Sequence, residues 1–214
     1  MEKRTIFWDA DTQYDFMMPD GKLYIDGADQ IVPAVSDVRA MALDHGCSIL
    51  ASQDWHSMNN PEISEHPDYR KTFPPHCMVG TPGAARVGYL GTLPIDYVDL
   101  EPRNPGELEE LVQPDQFHIV IRKEAISAFS NPNTTRLLEL ANPGRIIVFG
   151  VALDVCVADT LRKLAQWPDI ELMLVKDATK GLGLRPEQQV LDDLQGLGVD
   201  IVESSLLREM APCG

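Results

Sequence analysis

The sequence predicts a three-layer α/β/α fold of Rossmann type, in which helices cover both faces of a mainly parallel sheet. Short, almost fully apolar runs alternate along the chain with longer segments that carry apolar residues at helical spacing. Strands that are apolar on both faces are typical of parallel sheets, because helices bury both sides. Charged residues directly follow several of these runs. Since the carboxyl ends of parallel strands meet at one edge of a sheet, we expect these charges to converge there.

The strand candidates are the apolar runs at residues 5–8, 48–52, 118–121, 146–149, 171–175 and 200–202. The run at 146–149 (IIVF) is the most strand-like, because it contains only β-branched and aromatic residues. A first helix carries apolar residues at positions 31, 35, 38 and 42 and ends at Gly46. Asn133 or Thr134 can cap a short second helix, and two more are predicted at about residues 154–166 and 186–197.

The segment at about residues 57–117 interrupts this alternation. It is rich in proline, glycine and asparagine and has no sustained period, so it is predicted to be a loop-rich insertion. A chain of 214 residues has the usual size of one domain. We therefore expect residues 1–214 to form a single domain that carries this insertion.

Charge and composition exclude several classes of partner. The net charge of −15 disfavours binding to nucleic acid and to anionic membrane surfaces. No segment approaches the roughly 18 apolar residues of a membrane span, and no secretory signal is recognised. Four cysteines without a C-x-x-C pair do not form a disulfide scaffold, which favours a reducing, cytoplasmic compartment. The sequence leaves open whether the chain forms homo-oligomers.

Three polar side chains that follow separate strands can form one catalytic group. Asp11 and Lys123 lie just past two strand candidates, and Cys156 lies in the first turn of the helix after 146–149. A helix N-terminus favours a thiolate, and its free N–H groups can receive an oxyanion. Free cysteines are more often small buried hydrophobes, an alternative that the position of Cys156 alone leaves open. The acid and the base at neighbouring strand ends favour a nucleophile.

A second group has the composition of a metal site. Asp54 and His56 are two residues apart, so in an extended segment their side chains point the same way. His76, from the insertion, can complete a set of two imidazoles and one carboxylate, which suits Zn²⁺, Fe²⁺ or Mn²⁺. The alternative is that both histidines are loop residues bonded to the backbone, and spacing does not decide between the two.

Four motifs carry a resemblance to a known family. They are DTQYDF at residues 11–16, DWH at 54–56, FPPHCMVGTPGA at 73–84 and GVALDVCV at 150–157. With these motifs in this order over most of its length, the chain resembles the isochorismatase-like cysteine hydrolases and, among them, the nicotinamidases. The third and fourth motifs together are the specific ones.

The resemblance implies a six-stranded parallel sheet and a catalytic triad of Asp11, Lys123 and Cys156. It also implies a cis peptide bond between Val151 and Ala152. The turn that contains it would aim the N–H groups of Ala152 and Cys156 at the oxyanion and would place Val151 at the substrate.

The resemblance further implies a metal held by Asp54, His56 and His76, with Phe16 and Phe73 on the two faces of a flat aromatic substrate. Zn²⁺ is favoured for the metal, with Fe²⁺ and Mn²⁺ as alternatives. Some family members have one more metal ligand between the two histidines. Glu65 and His66 lie in that region, but a solvated loop is the favoured interpretation for both.

The implied reaction is the hydrolysis of nicotinamide to nicotinic acid and ammonia through a cysteine thioester. The substrate partner would thus be a small amide. Val155 stands where nicotinamidases often have tyrosine or histidine, and Asn59 and Asn60 follow DWH where another histidine is common. A metal-free amidase acting on carbamoyl or ureido compounds is one alternative. A non-catalytic thiol or binding protein on the same fold is another.

Overall fold

Parallel strands form the centre of the structure, a computed structural model that describes residues 3–88, 94–112 and 116–208. In this part of the chain the strands are β1 (Arg4–Ala10), β2 (Ser48–Asp54), β3 (Asp96–Val98), β4 (His118–Lys123), β5 (Pro143–Val151), β6 (Glu171–Lys180) and β7 (Val199–Val202). All pair in parallel in one sheet of order β3-β4-β2-β1-β5-β6-β7. The predicted fold class is thereby confirmed.

Helices connect the strands. They are α1 (Tyr14–Met17), α2 (Val32–Asp44), α3 (Pro105–Leu111), α4 (Thr134–Ala141), α5 (Ala158–Leu164), α6 (Glu187–Gln195) and α7 (Ser204–Leu207). The helix predicted at 154–166 begins instead with a π-helical turn, Leu153–Val157, which α5 continues. Among the described residues, no helix combines the length and the apolar character needed to cross a bilayer.

Two separate apolar layers lie on the two faces of the sheet. Ile6 and Trp8 point into one layer, which also contains Leu138 of α4, whereas Phe7 between them points into the other, with Val38 of α2. The side chains alternate because successive residues of a strand face opposite sides. Both faces are therefore covered, as the apolar strand runs predict.

The expected number of six strands is wrong, because the described residues contain seven. The added strand is β3, and both β3 and α3 lie in the segment that was predicted to be a loop-rich insertion. β3 is a three-residue edge strand that pairs only with β4, and Val98 is its one buried residue. An edge strand with two exposed positions has no apolar run, so hydrophobic patterning does not find it.

The strand register brings the carboxyl ends of the central strands together. β1 lies between β2 and β5, and Ala10 at its end is aligned with Ser52 on one side and Gly150 on the other. Asp54, the last residue of β2, is aligned with Lys123, the last residue of β4. Groups that follow these four strands therefore meet at the edge where open α/β sheets bind their ligands.

Gly150 permits this close approach near the end of β5. Its φ of 113° is one that side chains with a Cβ rarely adopt, and a Cβ there would lie 2.1 Å from the carbonyl oxygen of Ala10. A glycine is thus required both by the backbone conformation and by the neighbouring strand.

We predict that Gly150→Ala lowers the free energy of unfolding by about 3 kcal/mol, because strain and overpacking add. Urea unfolding followed by circular dichroism measures the change. Gly46→Ala is the matched control: Gly46 also has a positive φ, 72°, but a Cβ there has open space. It should cost only about 1 kcal/mol. Equal losses for the two variants would contradict the role of the contact with Ala10.

Candidate active site and metal centre

The side chain of Lys123 lies at the centre of the site and is fully buried. Its Nζ lies 3.1 Å from Oδ2 of Asp11 and forms an ion pair with Oδ1 of Asp54. The same Nζ donates to the carbonyl oxygen of Ala125 at 3.1 Å and lies 3.8 Å from Sγ of Cys156. The structure therefore brings Asp11, Lys123 and Cys156 together, and it connects them to Asp54 through one ammonium group.

The two carboxylates that share this ammonium titrate in opposite directions. Burial raises the pKa of Asp11 and outweighs the ion pair with Lys123, and the nearby Asp54 raises it further. Burial acts in the same direction on Asp54, but Lys123 and the neighbouring imidazoles of His56 and His76 hold its pKa well below the usual range. A pair of acids whose pKa values are separated in this way divides the roles. Asp54 stays anionic, and Asp11 can accept and return a proton.

The same surroundings fix the charge of Lys123 and of Cys156. Burial would lower the pKa of Lys123, but the carboxylates of Asp11 and Asp54 raise it well above its usual range, so it stays cationic. Burial raises the pKa of the Cys156 thiol well above its usual range, although Lys123 acts against this. The negative charges of Asp11 and Asp54 also raise it. At rest the sulfur is therefore a thiol.

A turn between β5 and α5 presents Cys156 to the cleft. The peptide bond between Val151 and Ala152 is cis, as the family resemblance implied. The carbonyl oxygen of Ala152 accepts from the N–H groups of Val155 and Val157, at 3.0 and 3.1 Å. Among the described residues, the N–H of Cys156 between them makes no backbone hydrogen bond outside its own helical turn. This N–H can therefore act as an oxyanion donor beside the sulfur.

The predicted metal ligands Asp54, His56 and His76 form one buried cluster. The Nε2 atoms of His56 and His76 lie 3.5 and 3.6 Å from the same oxygen, Oδ2 of Asp54. Nδ1 of His76 lies 2.7 Å from the carbonyl oxygen of Pro74, which leaves Nε2 free to face the cluster. Within the described chain neither ring nitrogen of His56 has a hydrogen-bond partner.

These distances fit a bound metal ion. Ligand atoms about 2.1 Å from a tetrahedral zinc ion are about 3.4 Å apart, which is close to the observed separations. They are also too long for strong hydrogen bonds, so a direct His–Asp pairing does not explain the arrangement. One carboxylate and two imidazoles form a common donor set for a divalent transition metal. The cluster can therefore hold a divalent metal ion.

A narrow cleft joins the nucleophile to the metal cluster. Both groups contribute to its wall, which consists of Phe16, Leu23, Ile25, Asp54, Glu62, Phe73, His76, Ala152, Val155, Cys156 and Leu182. The rings of Phe16 and Phe73 both pack against the His76 ring, with centroids 5.2 and 6.1 Å apart. Both phenylalanines therefore lie where a substrate ring would enter.

Val151 is not part of this wall. It is fully buried in the apolar layer on one face of the sheet, and its neighbours Ala152 and Val155 line the cleft instead. The reason is strand alternation: the residue before the turn still follows the pleat of β5 and points into the core.

Sequence reasoning missed Glu62, although it is the acid of the insertion that reaches the cleft. Burial raises its pKa, and the negative charge of Asp54 adds to the effect. Glu65 and His66, the two residues considered for this region, are exposed and lie outside the described metal cluster. No periodicity marks the insertion, so the sequence offered no signal to select Glu62.

Leu182 is a second missed residue, and Asp154 holds it in place. Oδ1 of Asp154 accepts from the N–H of Leu182 at 2.7 Å. Its Oδ2 accepts from the N–H groups of Leu184 and Arg185, at 2.6 and 3.2 Å. The loop after β6 is thus attached to the turn that contains the nucleophile. We refer to residues 181–185 as the 181–185 loop.

Comparisons with known proteins show similarity along almost the whole chain. The chain is 29% identical over 201 residues to the nicotinamidase/pyrazinamidase of Mycobacterium tuberculosis. The aligned region covers 92% of this chain and 97% of the relative. The structure of a Pyrococcus horikoshii pyrazinamidase in complex with zinc matches with a TM-score of 0.72 and 26% identity, over 93% of this chain and 98% of that one.

The structure of a Streptococcus mutans pyrazinamidase/nicotinamidase matches with a TM-score of 0.71 and 26% identity. That match covers 92% of this chain and 99% of the other. The profile of the Isochorismatase domain family matches residues 9–205, which include every residue of the cleft described above. By this match over nearly its whole length, the chain belongs to the isochorismatase domain family.

Proposed function

We propose that this protein is a metal-dependent cysteine amidohydrolase that converts nicotinamide to nicotinic acid and ammonia. The observation that carries the proposal is the shared cleft, in which Cys156 lies in the same largely apolar wall as Asp54 and His76 of the ligand cluster. The similarity to nicotinamidases and pyrazinamidases along almost the full length of the chain supports the substrate class.

In the first step Asp11 acts as the general base. It accepts the thiol proton of Cys156, and the sulfur attacks the carboxamide carbon. The raised pKa of Asp11 brings it closer to neutral pH, where a general base is most effective. Lys123, 3.8 Å from the sulfur, stabilises the thiolate as it forms.

The carbonyl oxygen of the amide becomes an oxyanion during this attack. The N–H groups of Ala152 and Cys156 are its donors, and they are fixed by the cis peptide bond and by the π-helical turn. Donors that are already oriented stabilise developing charge without reorganisation, and one such donor is typically worth about 100-fold in rate or more.

Asp11 then returns its proton to the leaving nitrogen. The C–N bond breaks, ammonia leaves, and the acyl group remains on Cys156 as a thioester. Asp11 next removes a proton from a water molecule, whose oxygen attacks the thioester. The C–S bond breaks, the carboxylic acid forms, and the proton returns to the sulfur.

Asp54, His56 and His76 would hold a divalent metal ion, for which Zn²⁺ is favoured, and this ion would act as a Lewis acid toward the ring nitrogen of the substrate. The chain's own residues orient the ring: Phe16 and Phe73 bound the entrance, and Leu23, Ile25 and Leu182 exclude water from its faces. A ring anchored at one point places its carboxamide at a fixed distance from Cys156.

We further infer that the whole chain acts as one domain in the cytoplasm. The single sheet that contains all described strands supports the single domain. The cytoplasmic location rests on the chemistry of the site. Cys156 is free in the structure, and a nucleophilic thiol is maintained in a reducing compartment.

We predict that Cys156→Ala lowers the rate of ammonia release from nicotinamide by on the order of 10⁴-fold or more, because no other described thiol lines the cleft. The assay follows ammonia in a coupled reaction, and circular dichroism verifies the fold. The control is Cys77→Ala, which removes the other described free thiol, a buried one outside the cleft wall. Turnover by Cys156→Ala comparable with wild type would remove the nucleophile assignment.

We predict one divalent transition metal ion per chain, retained through gel filtration and lost in His56→Ala and in His76→Ala, because each substitution removes one of three protein ligands. Elemental analysis measures the content. The exposed His66 provides the control, and His66→Ala should keep its metal. Full activity of metal-free wild-type protein would contradict the proposal and would favour a metal-free carbamoyl or ureido amidase.

We predict that benzamide reacts about 100-fold more slowly than nicotinamide in kcat/KM. The two amides have the same shape, but benzamide lacks the ring nitrogen, and a lost ligand interaction of about 3 kcal/mol corresponds to that factor. The comparison uses one preparation of enzyme with both substrates. Equal values would mean that the site does not select for a ring nitrogen, even if Cys156 is the nucleophile.

A further inference from the structure

Helix α1 and the residue before it, Gln13, follow β1. They contact the backbone of both segments that contribute metal ligands. Gln13 is fully buried, and Asp15 is 5% exposed. Neither residue lines the cleft, and the reaction proposed above uses neither of them. Their polar groups nevertheless bind main-chain atoms, among them those of Asp54 and Cys77 in the ligand segments.

Gln13 pairs with the peptide groups of Asp54 as a neighbouring strand would. Its Nε2 donates to the carbonyl oxygen of Asp54 at 2.8 Å, and its Oε1 accepts from the N–H of Asp54 at 2.7 Å. The Nε2 group also donates to the carbonyl oxygen of Ala84 at 3.0 Å. One side chain therefore satisfies both backbone groups of Asp54, the last residue of β2.

Asp15 holds the other segment. Its Oδ2 accepts from the N–H of Cys77 at 2.7 Å, directly after the ligand His76. Cys77 has a φ of 46°, in the left-handed region that non-glycine residues rarely adopt. The hydrogen bond from Asp15 stabilises this turn, and the other carboxylate oxygen accepts from the N–H of Lys22 at 3.0 Å.

Backbone pairing closes the arrangement between the two segments. The N–H of His56 donates to the carbonyl oxygen of Cys77 at 3.2 Å, and the carbonyl oxygen of His56 accepts from Val79 at 2.9 Å. The main chains at Asp54, His56 and Cys77 are thus connected, and Gln13 and Asp15 attach this unit to α1 at both ends.

We infer that Gln13 and Asp15 are positioning residues for the metal site, which set the separation of its ligands before the ion binds. This inference rests on the proposed function, since it requires that the cluster binds a metal. Residues that orient metal ligands through hydrogen bonds typically contribute 10- to 100-fold in metal affinity.

The main test uses Gln13→Glu, which keeps the shape of the side chain but replaces its donor group by an oxygen. The carbonyl oxygen of Asp54 then loses its donor. We expect the affinity of the metal-free protein for Zn²⁺, measured by competition with a chromogenic chelator, to fall about 10- to 100-fold. The visible absorption spectrum of the Co²⁺ form should also shift, because the ligand geometry changes.

Gln53→Glu is the matched control. Gln53 is also buried and also donates to the carbonyl oxygen of Ala84, at 2.9 Å, but it makes no recorded bond to the backbone of Asp54. It undergoes the same change in charge and shape beside the same acceptor. A general loss of stability would affect both variants, whereas a positioning role lowers Zn²⁺ affinity and shifts the Co²⁺ spectrum only in Gln13→Glu.

Asp15→Asn tests the second attachment and serves as the measurement if Gln13→Glu does not fold. Asparagine is isosteric but has one acceptor oxygen for two N–H groups. Gly83→Ala disturbs the hydrogen bond between Asp15 and Cys77 without changing either residue. A Cβ at position 83 would lie 2.1 Å from Oδ2 of Asp15 and displace it. Both variants should bind Zn²⁺ more weakly than wild type. When Zn²⁺ is saturating, their kcat should return closer to the wild-type value than their KM does.

The outcomes separate this inference from the proposed function. Wild-type protein that binds no Zn²⁺ would overturn the metal site and the inference together. Tight binding by wild type, with unchanged affinity and an unchanged Co²⁺ spectrum in Gln13→Glu and Asp15→Asn, would overturn the inference alone. Loss of affinity in Gln53→Glu equal to that in Gln13→Glu would also overturn it, because the effect would then be structural.

Discussion

The buried ammonium group of Lys123 is the interaction on which the site depends. Taking a charged group out of water costs several kcal/mol, and the carboxylates of Asp11 and Asp54 offset that cost for Lys123. In turn, Lys123 allows two carboxylates to lie together in the interior. The proposed nucleophile and the candidate metal cluster are therefore one electrostatic unit, and the loss of this ammonium would disturb Asp11 and Asp54 together.

The sheet provides the geometry that this unit requires. Lys123 and Asp54 end adjacent strands in the same register, so their side chains leave the sheet side by side. Asp11 follows the central strand, and Cys156 follows the strand on its other side. Such a crossover point in strand order is where the connecting loops separate and leave a crevice. The chemistry is therefore located by the order of the strands.

Much of this arrangement could be predicted from the sequence, for physical reasons. Buried parallel strands are apolar runs, and the charged residues that end them are visible in the sequence. Asp11 and Lys123 were found in this way and Cys156 by its place at a helix start, whereas the family resemblance added the metal-binding role of Asp54, His56 and His76. All six lie together in the structure.

The elements that were missed lack such signals. β3 pairs with β4 through backbone hydrogen bonds at the sheet edge. Backbone bonds do not depend on the type of side chain, so the sequence composition does not reveal this strand. Glu62 and Leu182 reach the cleft from irregular segments, whose path is set by tertiary hydrogen bonds such as those of Asp154. Val151 was assigned to the substrate by analogy, but the pleat of β5 turns it into the core. Local patterns thus predict strands and their ends, whereas long-range contacts decide which loop residues line the cleft.

The attachment of the 181–185 loop has a consequence for how such a site can diverge. Asp154 binds Leu182, Leu184 and Arg185 of this loop through their main-chain N–H groups, so these bonds impose no requirement on the three side chains. The side chain at position 182 can therefore be exchanged while the loop keeps its path and the turn of Cys156 keeps its shape. One part of the cleft wall is thereby free to vary while Cys156, Asp54 and His76, which line the same cleft, stay in place.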